Sequence, residues 1–290
     1  MTGIAPAHTD HRRMWRSFDY CYPVISRRSK GLSLGVNLNP GKACNFDCVY
    51  CEVDRLVPVK RRDVDLDQVE DEMKILIELA VSGDLFKTRP FSAVKSELRR
   101  LNDIAFSGDG EPSAAKEFLE SVGRLARLKR QFNLTDVKLV LITNATGFKD
   151  ADVISGIDTM MANNGEIWAK LDAGTENYYQ AINRSAVSLA QIIENLVFAG
   201  KRWPIIIQTL FLEWAGSGPS RHEISSYIDR LKYLLDSGIR LQGLQLHTVA
   251  RPTPEAEARP LSSATLDEIA NNITSELPDI SVDVFYGTVA

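Results

Sequence analysis

Two alternating patterns of apolar positions run along this chain of 290 residues. Short β-branched runs predict strands, and the stretches between them place apolar residues three and four positions apart, which predicts helices with one buried face. The predicted strands are 34–39, 104–107, 137–143, 167–172, 205–212, 241–249 and 281–286. The predicted helices are 67–81, 113–131, 189–199, 221–236 and 265–276. Such alternation is typical of parallel βα units.

Two of the β-branched runs, 137–143 and 204–212, are apolar along almost their whole length. This fits strands that are buried on both faces. The pattern therefore favours an α/β barrel, complete or partial. Residues 1–30 precede the repeating pattern, and we interpret them as an N-terminal extension of a barrel domain that comprises residues 31–290.

Functional side chains of α/β barrels lie at the C-terminal ends of the strands and in the loops that follow. Polar residues occupy that position after each of the first six predicted strands. They are the cysteines of 44–51, the segment 107–112, Thr143 and Asn144, Lys170 and Asp172, Gln208, and His247. We expect these residues to form one functional rim, with Gln208 and His247 as the candidate catalytic side chains.

Composition and charge limit the location and the partners of the protein. No apolar run approaches the roughly 20 residues needed to cross a bilayer, and residues 1–16 are polar, so we expect a cytoplasmic protein. The net charge of −4 hides an asymmetry, because residues 1–62 carry 11 Lys/Arg against 5 Asp/Glu. This basic region fits a nucleotide or tRNA substrate, although a solvated basic surface is the simpler interpretation. Its members are Arg12, Arg13, Arg16, Arg27, Arg28, Lys30, Lys42, Arg55, Lys60, Arg61 and Arg62.

Three of the four cysteines, Cys44, Cys48 and Cys51, lie within eight residues directly after the first predicted strand. A cubane iron–sulfur cluster normally takes four cysteine ligands, so a cluster held here would have one iron open to another molecule. Two other interpretations need a fourth ligand. A structural zinc site is four-coordinate, and a non-catalytic electron carrier would recruit Cys21. Cys21 lies 23 residues upstream and is more typical of a buried small hydrophobe.

The CxxxCxxC spacing resembles the signature of the radical S-adenosylmethionine (SAM) superfamily. That signature follows the first strand of a partial (β/α)6 TIM-like barrel and usually has an aromatic residue before its last cysteine, as Tyr50 is here. The superfamily also has a GGEP-like motif after its second strand. This chain has Gly108, Asp109, Gly110, Glu111 and Pro112 at that place, with Asp109 as a departure from the pattern.

The resemblance implies a [4Fe-4S] cluster on the three cysteines, with SAM bound to the open iron. One-electron reduction would cleave SAM to methionine and a 5′-deoxyadenosyl radical, which abstracts a hydrogen atom from an unidentified substrate. It implies a one-electron donor such as flavodoxin or ferredoxin. It also implies that Tyr50, the segment 108–112, Asn144 and Asp172 bind the cofactor.

Within the superfamily, segments 35–51, 106–112 and 170–173 look most like the branch related to wyosine synthases, which act on a tRNA guanine. The enzymes of that branch that rebuild the base use a second cluster with its own cysteines, whereas this chain has one further cysteine, Cys21. The alternatives that remain are therefore a radical SAM enzyme with another substrate, a tRNA- or nucleotide-modifying one, and a non-catalytic iron–sulfur protein.

Overall fold

The structure, a computed structural model, describes residues 15–53, 58–59 and 61–287. The chain divides into two compact units. Of the described residues, the first unit comprises 15–43, 58–59, 61–142 and 150–166, and the second comprises 44–53, 143–149 and 167–287. The cysteine motif therefore belongs to the second unit, whereas residues 108–112 belong to the first.

The first unit is built on strands that pair in chain order. Strand β1 (Cys21–Ser26) is antiparallel to β2 (Gly31–Val36), which is parallel to β3 (Leu101–Phe106), and β3 is parallel to β4 (Lys138–Thr143). The helices of this unit are α1 (Leu66–Val81), α2 (Phe118–Gln131) and α3 (Ala151–Met161).

Helix α1 illustrates how the sequence builds this unit. Asp65 caps its first turn by accepting hydrogen bonds from the amides of Asp67 and Gln68, and Met73, Leu76 and Ile77 are fully buried along one face. Glu72 is buried on the same helix, where its carboxylate accepts the backbone amides of residues 19, 20 and 21. This buried carboxylate is satisfied by amide donors and fixes the start of β1.

The second unit contains four parallel strands, β5 (Gly165–Lys170), β6 (Ile205–Leu210), β8 (Leu241–His247) and β10 (Val282–Phe285). The first two residues of β5 belong to the first unit. Strands β7 (Leu212–Trp214) and β9 (Ala258–Pro260) form a separate, short antiparallel sheet. The helices are α4 (Glu176–Asn183), α5 (Leu189–Arg202), α6 (Arg221–Asp236) and α7 (Ser263–Glu276).

The predicted α/β class with parallel strands is confirmed. Each of the seven predicted strands has a counterpart, although 205–212 is wrong at its end, because β6 stops at Leu210 and the chain re-enters a strand at Leu212. The predicted helix 113–131 begins too early. Pro112–Ala114 forms a separate 3₁₀ turn capped by Glu111, and α2 starts at Phe118. Strands β1 and β9 and the helices α3 and α4 were not predicted.

Among the helices that the structure describes, none is long and apolar enough to cross a membrane.

Candidate functional site

The cysteine loop of the second unit carries Cys44, Cys48 and Cys51 as half-buried thiols that are not joined in disulfide bonds. Two of the sulfurs have N–H groups directed at them. The backbone amide of Phe46 lies 3.4 Å from Cys44 Sγ, and the Asn183 side-chain amide lies 3.5 Å from Cys48 Sγ. A longer contact of 3.9 Å joins Asn144 Nδ2 to Cys44 Sγ. Donors of this kind stabilise thiolate sulfur, so the loop suits cysteines that act as metal ligands.

The middle of the cysteine loop is docked on the C-terminal end of α4. The amide of Asp47 donates to the Asn183 carbonyl at 3.0 Å, and the amide of Val49 donates to the Ile182 carbonyl at 2.9 Å. The last carbonyls of a helix have no partner inside the helix, so the loop satisfies groups that would otherwise need water or a cap. Ser185 adds a bond from its hydroxyl to the Asn45 carbonyl at 3.2 Å.

A ring of side-chain hydrogen bonds fixes the start of the cysteine loop to the turn after β4. Asn144 Nδ2 donates to Asn45 Oδ1 at 2.6 Å, and Asn45 Nδ2 donates to Thr146 Oγ1 at 2.8 Å. The Thr146 hydroxyl closes the ring by donating to Asn144 Oδ1 at 2.8 Å. The turn itself contains Ala145 at φ 67° and is supported by the Asn195 side chain, which donates to the Ala145 carbonyl. Asn144 is therefore tied to the cysteine loop, and its predicted contact to SAM stays a prediction.

Tyr50 and Asp172 form the polar centre behind the cysteines. The Tyr50 hydroxyl donates a short hydrogen bond to Asp172 Oδ2, and the same oxygen accepts from Asn183 Nδ2 at 3.0 Å. The other carboxylate oxygen accepts the Leu210 amide at 2.8 Å. All of these side chains are buried, and burial, followed by the Asp172 charge, raises the pKa of Tyr50 well above its usual range. Asp172 thus anchors the aromatic residue of the motif to β6.

Lys170 supplies positive charge beside the cysteines. Its Nζ lies 4.9 Å from the centre of the Tyr50 ring. Burial disfavours the cation, but the negative charges of Asp172 and the three cysteines outweigh burial and raise the pKa of Lys170. For Cys48, burial is the main cause that raises the thiol pKa to about 11, and Lys170 opposes that shift. A metal ion would remove this proton, because a coordinating thiol is deprotonated.

The glycine-rich segment 108–112 is held within the first unit by the chain that precedes the cysteine loop. A Cβ on Gly108 would overlap the Asn37 side chain, and a Cβ on Gly110 would overlap the Ala43 carbonyl oxygen. The Glu111 amide donates to that same carbonyl at 3.2 Å. Both glycines are therefore required by close approach, and Ala43 is the residue directly before Cys44.

The departure at Asp109 has a structural explanation. Asn37 Nδ2 donates to the Asp109 carboxylate at 2.8 Å, and Asn37 Oδ1 accepts the amides of Asp109 at 3.1 Å and of Asn39 at 3.0 Å. One buried carboxamide thus binds both the backbone and the side chain of Asp109, the residue that departs from the GGEP pattern. Glu111 Oε1 accepts the Ser113 amide and hydroxyl, which caps the short turn that begins at Pro112.

The candidate catalytic residues lie on adjacent strands of the second unit. Gln208 is 1% exposed and donates to Gln245 Oε1 at 2.9 Å. Lys170, Gln208 and Gln245 are in register across β5, β6 and β8, so their side chains share one face. His247 is two residues beyond Gln245 on the same face, half-buried and paired in register with Leu210. The catalytic roles of Gln208 and His247 stay predictions.

Cys21 lies in β1 of the first unit and is 1% exposed. Its thiol donates to the Val69 carbonyl at 3.5 Å, and burial, with a further contribution from Glu72, raises its pKa well above the usual range. Among residues 15–53, 58–59 and 61–287, no group of three or more His, Cys, Asp or Glu side chains is arranged around a single metal ion. A cubane takes each thiolate on a different iron, so it does not need such convergence on one point.

Only part of the predicted basic region can be described. Arg12, Arg13, Arg55 and Lys60 lie outside the described residues. Arg61 pairs with Asp19 at 3.3 Å and lies 5.3 Å above the Tyr20 ring. The contacts of Arg61 are those of a residue that packs the start of β1 against α1.

Comparison with known proteins finds similarity both by sequence and by structure. No family model matches the chain. The UPF0026 protein of Methanocaldococcus jannaschii is 27% identical over 244 residues, which is 82% of this chain and 65% of the relative. The chain therefore spans slightly less than two thirds of that relative.

Two solved structures resemble the chain over most of its length. Streptococcus suis SuiB bound to S-adenosylmethionine is 12% identical, with a TM-score of 0.60 over 89% of this chain and 52% of SuiB. TYW1 with a lysine-pyruvate adduct bound is 15% identical, with a TM-score of 0.53 over 85% of this chain and 74% of TYW1. At these identities the likeness shows that the chain shares their fold.

Sequence reasoning missed three residues of the site: Asn45, Thr146 and Asn183. Asn45 stands inside the cysteine motif and Thr146 follows Asn144 by two positions, so proximity to predicted residues was an available signal for both. Asn183 has no such signal, because it is 135 residues away from the sulfur it contacts.

Proposed function

We propose that this protein is a radical SAM enzyme that holds one [4Fe-4S] cluster on Cys44, Cys48 and Cys51. The observation that carries the proposal is the set of N–H donors directed at the cysteine sulfurs. The Phe46 amide lies 3.4 Å from Cys44 Sγ and the Asn183 amide lies 3.5 Å from Cys48 Sγ, and the Lys170 ammonium lies 4.9 Å from the centre of the Tyr50 ring in the same loop. A cluster with three thiolates is anionic, and these groups compensate its charge.

When bound, the cluster and SAM together supply the one-electron cleavage of SAM to methionine and a 5′-deoxyadenosyl radical. The chain's own task is to place the three sulfurs, to keep the cofactors in position and to exclude water. The docked loop and the ring of Asn45, Asn144 and Thr146 perform the first task. Tyr50 and Asp172 are buried behind the cysteines, and their polar groups are hydrogen-bonded to each other, so they need no water molecule there.

We assign the amino-acid part of SAM to the segment 108–112. Close approach at Gly108 and Gly110 holds the backbone of this segment against residues 37–43, and the Asn37 bonds fix Asp109. A rigid turn of this kind presents backbone groups without a rotamer cost, which is what recognition of an amine and a carboxylate requires. Asn144 and Asp172 are assigned as further polar contacts to SAM.

We further propose that the strands and helices form a partial (β/α)6 barrel, and the likeness to SuiB and TYW1 supports this. On this proposal the shared face of Lys170, Gln208, Gln245 and His247 lines the substrate site. Gln208 and His247 are assigned as the residues that contact the substrate. Buried amides such as that of Gln208 are costly without partners, and its bond to Gln245 uses one of its two N–H groups.

The decisive experiment is anaerobic reconstitution with iron and sulfide, followed by reaction with dithionite and SAM. We expect methionine and 5′-deoxyadenosine from the wild-type protein and neither product from Cys48→Ala. A protein that binds about four irons per chain and still leaves SAM intact would contradict the enzymatic proposal and favour an electron carrier. Stoichiometric zinc without sulfide after anaerobic purification would contradict the cluster itself.

Two partners complete the proposal. A one-electron donor such as flavodoxin or ferredoxin would replace dithionite in the cell. A nucleotide or tRNA substrate is supported by the basic balance of residues 1–62. Nucleoside profiles of tRNA from a deletion strain and its parent test that substrate, and identical profiles would remove it.

A further inference from the structure

Asn183, at the end of α4, points its side-chain amide into the cysteine loop. Asn183 is 1% exposed, and its Nδ2 lies 3.5 Å from Cys48 Sγ, 3.1 Å from the Tyr50 hydroxyl oxygen and 3.0 Å from Asp172 Oδ2. One NH₂ group thus serves three acceptors, and the sulfur is one of them.

The orientation of this amide follows from the chemistry of its neighbours. A reversed amide would place Oδ1 against a carboxylate and a thiolate, both of which accept hydrogen bonds and neither of which donates. In the observed orientation Asn183 Oδ1 is buried and has no hydrogen-bond partner among the described residues. The side chain therefore leaves its own acceptor unsatisfied in order to direct both N–H groups at the loop and at Asp172.

The backbone around Asn183 reinforces this position. The Asn183 carbonyl accepts the Asp47 amide and the Ile182 carbonyl accepts the Val49 amide, so the loop is held on both sides of Cys48. Arg184 ends the helix in the left-handed region at φ 46° and forms an ion pair with Glu255 at 2.6 Å. The segment that carries Asn183 is therefore fixed from two directions.

We infer that Asn183 is a positioning residue that donates a hydrogen bond to the Cys48 ligand and thereby raises the reduction potential of the cluster. The inference rests on the proposed function, because it requires a cluster on Cys48. Hydrogen bonds to cluster sulfur stabilise the more electron-rich reduced form, so their loss makes the cluster harder to reduce. Through Tyr50 and Asp172 the same amide links the sulfur to β6.

The test compares Asn183→Leu and Asn183→Ser with the wild-type protein in anaerobic, EPR-monitored redox titrations without SAM. Leucine keeps the approximate volume and removes the donor, whereas serine keeps a smaller donor. The matched control is Asn102→Leu, because the Asn102 side chain donates to the Ser29 carbonyl and belongs to the first unit. We expect a more negative midpoint potential in Asn183→Leu, a smaller shift in Asn183→Ser, and the wild-type potential in Asn102→Leu.

Each outcome decides the inference. Equal potentials in all four proteins would overturn it, and a wild-type protein without any cluster would instead overturn the proposed function. If Asn183→Leu does not load iron, Asn183→Ser decides by its potential. If neither variant loads iron while both apo-proteins keep the wild-type circular dichroism and melting temperature, the positioning role is supported. If both apo-proteins unfold, Asn183 serves fold stability alone and the inference is wrong.

Discussion

Arg251 forms a bidentate ion pair with Glu52, the residue directly after the last cysteine of the loop. Arg251 Nε lies 2.9 Å from Glu52 Oε1, and Nη2 lies 2.6 Å from Oε2. The two side chains are 22% and 28% exposed, so solvent screens the pair only in part. The carboxylate that Arg251 binds is therefore one that belongs to the cysteine loop itself. The pair fixes the exit of the cysteine loop.

We predict that Arg251→Gln clearly accelerates loss of the cluster while it lowers the free energy of unfolding only slightly. A partly exposed two-point ion pair contributes about 1 kcal/mol to folding, whereas release of Glu52 frees the chain beside Cys51. The measurement is the decay of the cluster's visible absorbance in an anaerobic chelator. Arg124→Gln is the control, because Arg124 pairs with Asp67 and Glu120 in the first unit. Equal decay rates for the two variants would show that the Glu52 pair does not hold the loop.

Gly110 gives a second prediction, because it is in contact with the residue before the first cysteine. A methyl group at Gly110 would overlap the Ala43 carbonyl oxygen, and backbone cannot yield as a flexible side chain does. We expect Gly110→Ala to displace Ala43 and to reduce the iron and sulfide content after reconstitution severalfold.

The matched control for this prediction is Gly123→Ala. Gly123 lies inside α2, and a Cβ there would meet no heavy atom within 4 Å. Alanine in a helix interior stabilises by about 1 kcal/mol relative to glycine, so this variant should melt at a higher temperature and load iron normally. Normal iron loading in Gly110→Ala would contradict the close approach as a constraint on the cysteine loop.

Periodicity predicted the elements whose burial is regular along the chain. Helix α6 has the predicted bounds, 221–236, because a polar cap at Ser220 precedes apolar residues at helical spacing. Helix α4 was missed for a physical reason. It has only eight residues, and its tyrosines and asparagines have low helix propensity, so tertiary contacts rather than local preference make it helical.

The candidate site could be predicted only where its residues are close together in the chain or match a known motif. The cysteine triad and the glycine segment meet that condition. Asn183 does not, because the cysteine sulfur that it contacts is 135 residues away in the chain. The pairing of Gln208 with Gln245 requires the register of two strands, which separation along the chain does not reveal.

The two classes of cysteine give a third prediction. Cys21 is buried in β1 with its thiol on the Val69 carbonyl, and its raised pKa keeps it protonated. Cys21→Ala should therefore leave the iron content unchanged and cost about 1 kcal/mol of folding free energy for the lost packing. Cys48→Ala should abolish cluster binding. Iron and sulfide analysis of both variants measures this, and loss of iron from Cys21→Ala would make Cys21 a ligand and support the electron-carrier alternative.

Asp103 provides a prediction about pH that is independent of the cluster. It is 1% exposed in β3 and accepts a short hydrogen bond from the Ser33 hydroxyl, and burial raises its pKa above the usual value. Because the folded state then binds the proton more tightly than the unfolded state, the stability that Asp103 contributes is fully present below its unfolded pKa of about 3.9. That stability is lost as the pH rises through the folded pKa.

Asp103→Asn removes this titration while an oxygen remains to accept the hydrogen bond from the Ser33 hydroxyl. The difference in unfolding free energy between Asp103→Asn and the wild type should therefore shift in favour of the variant as the pH rises from about 4 to 7. Urea titrations at several pH values measure it, with Asp279→Asn as a control substitution at an exposed carboxylate. If the difference in unfolding free energy is constant with pH, or shifts in favour of the wild type, burial does not disfavour the charged form of Asp103.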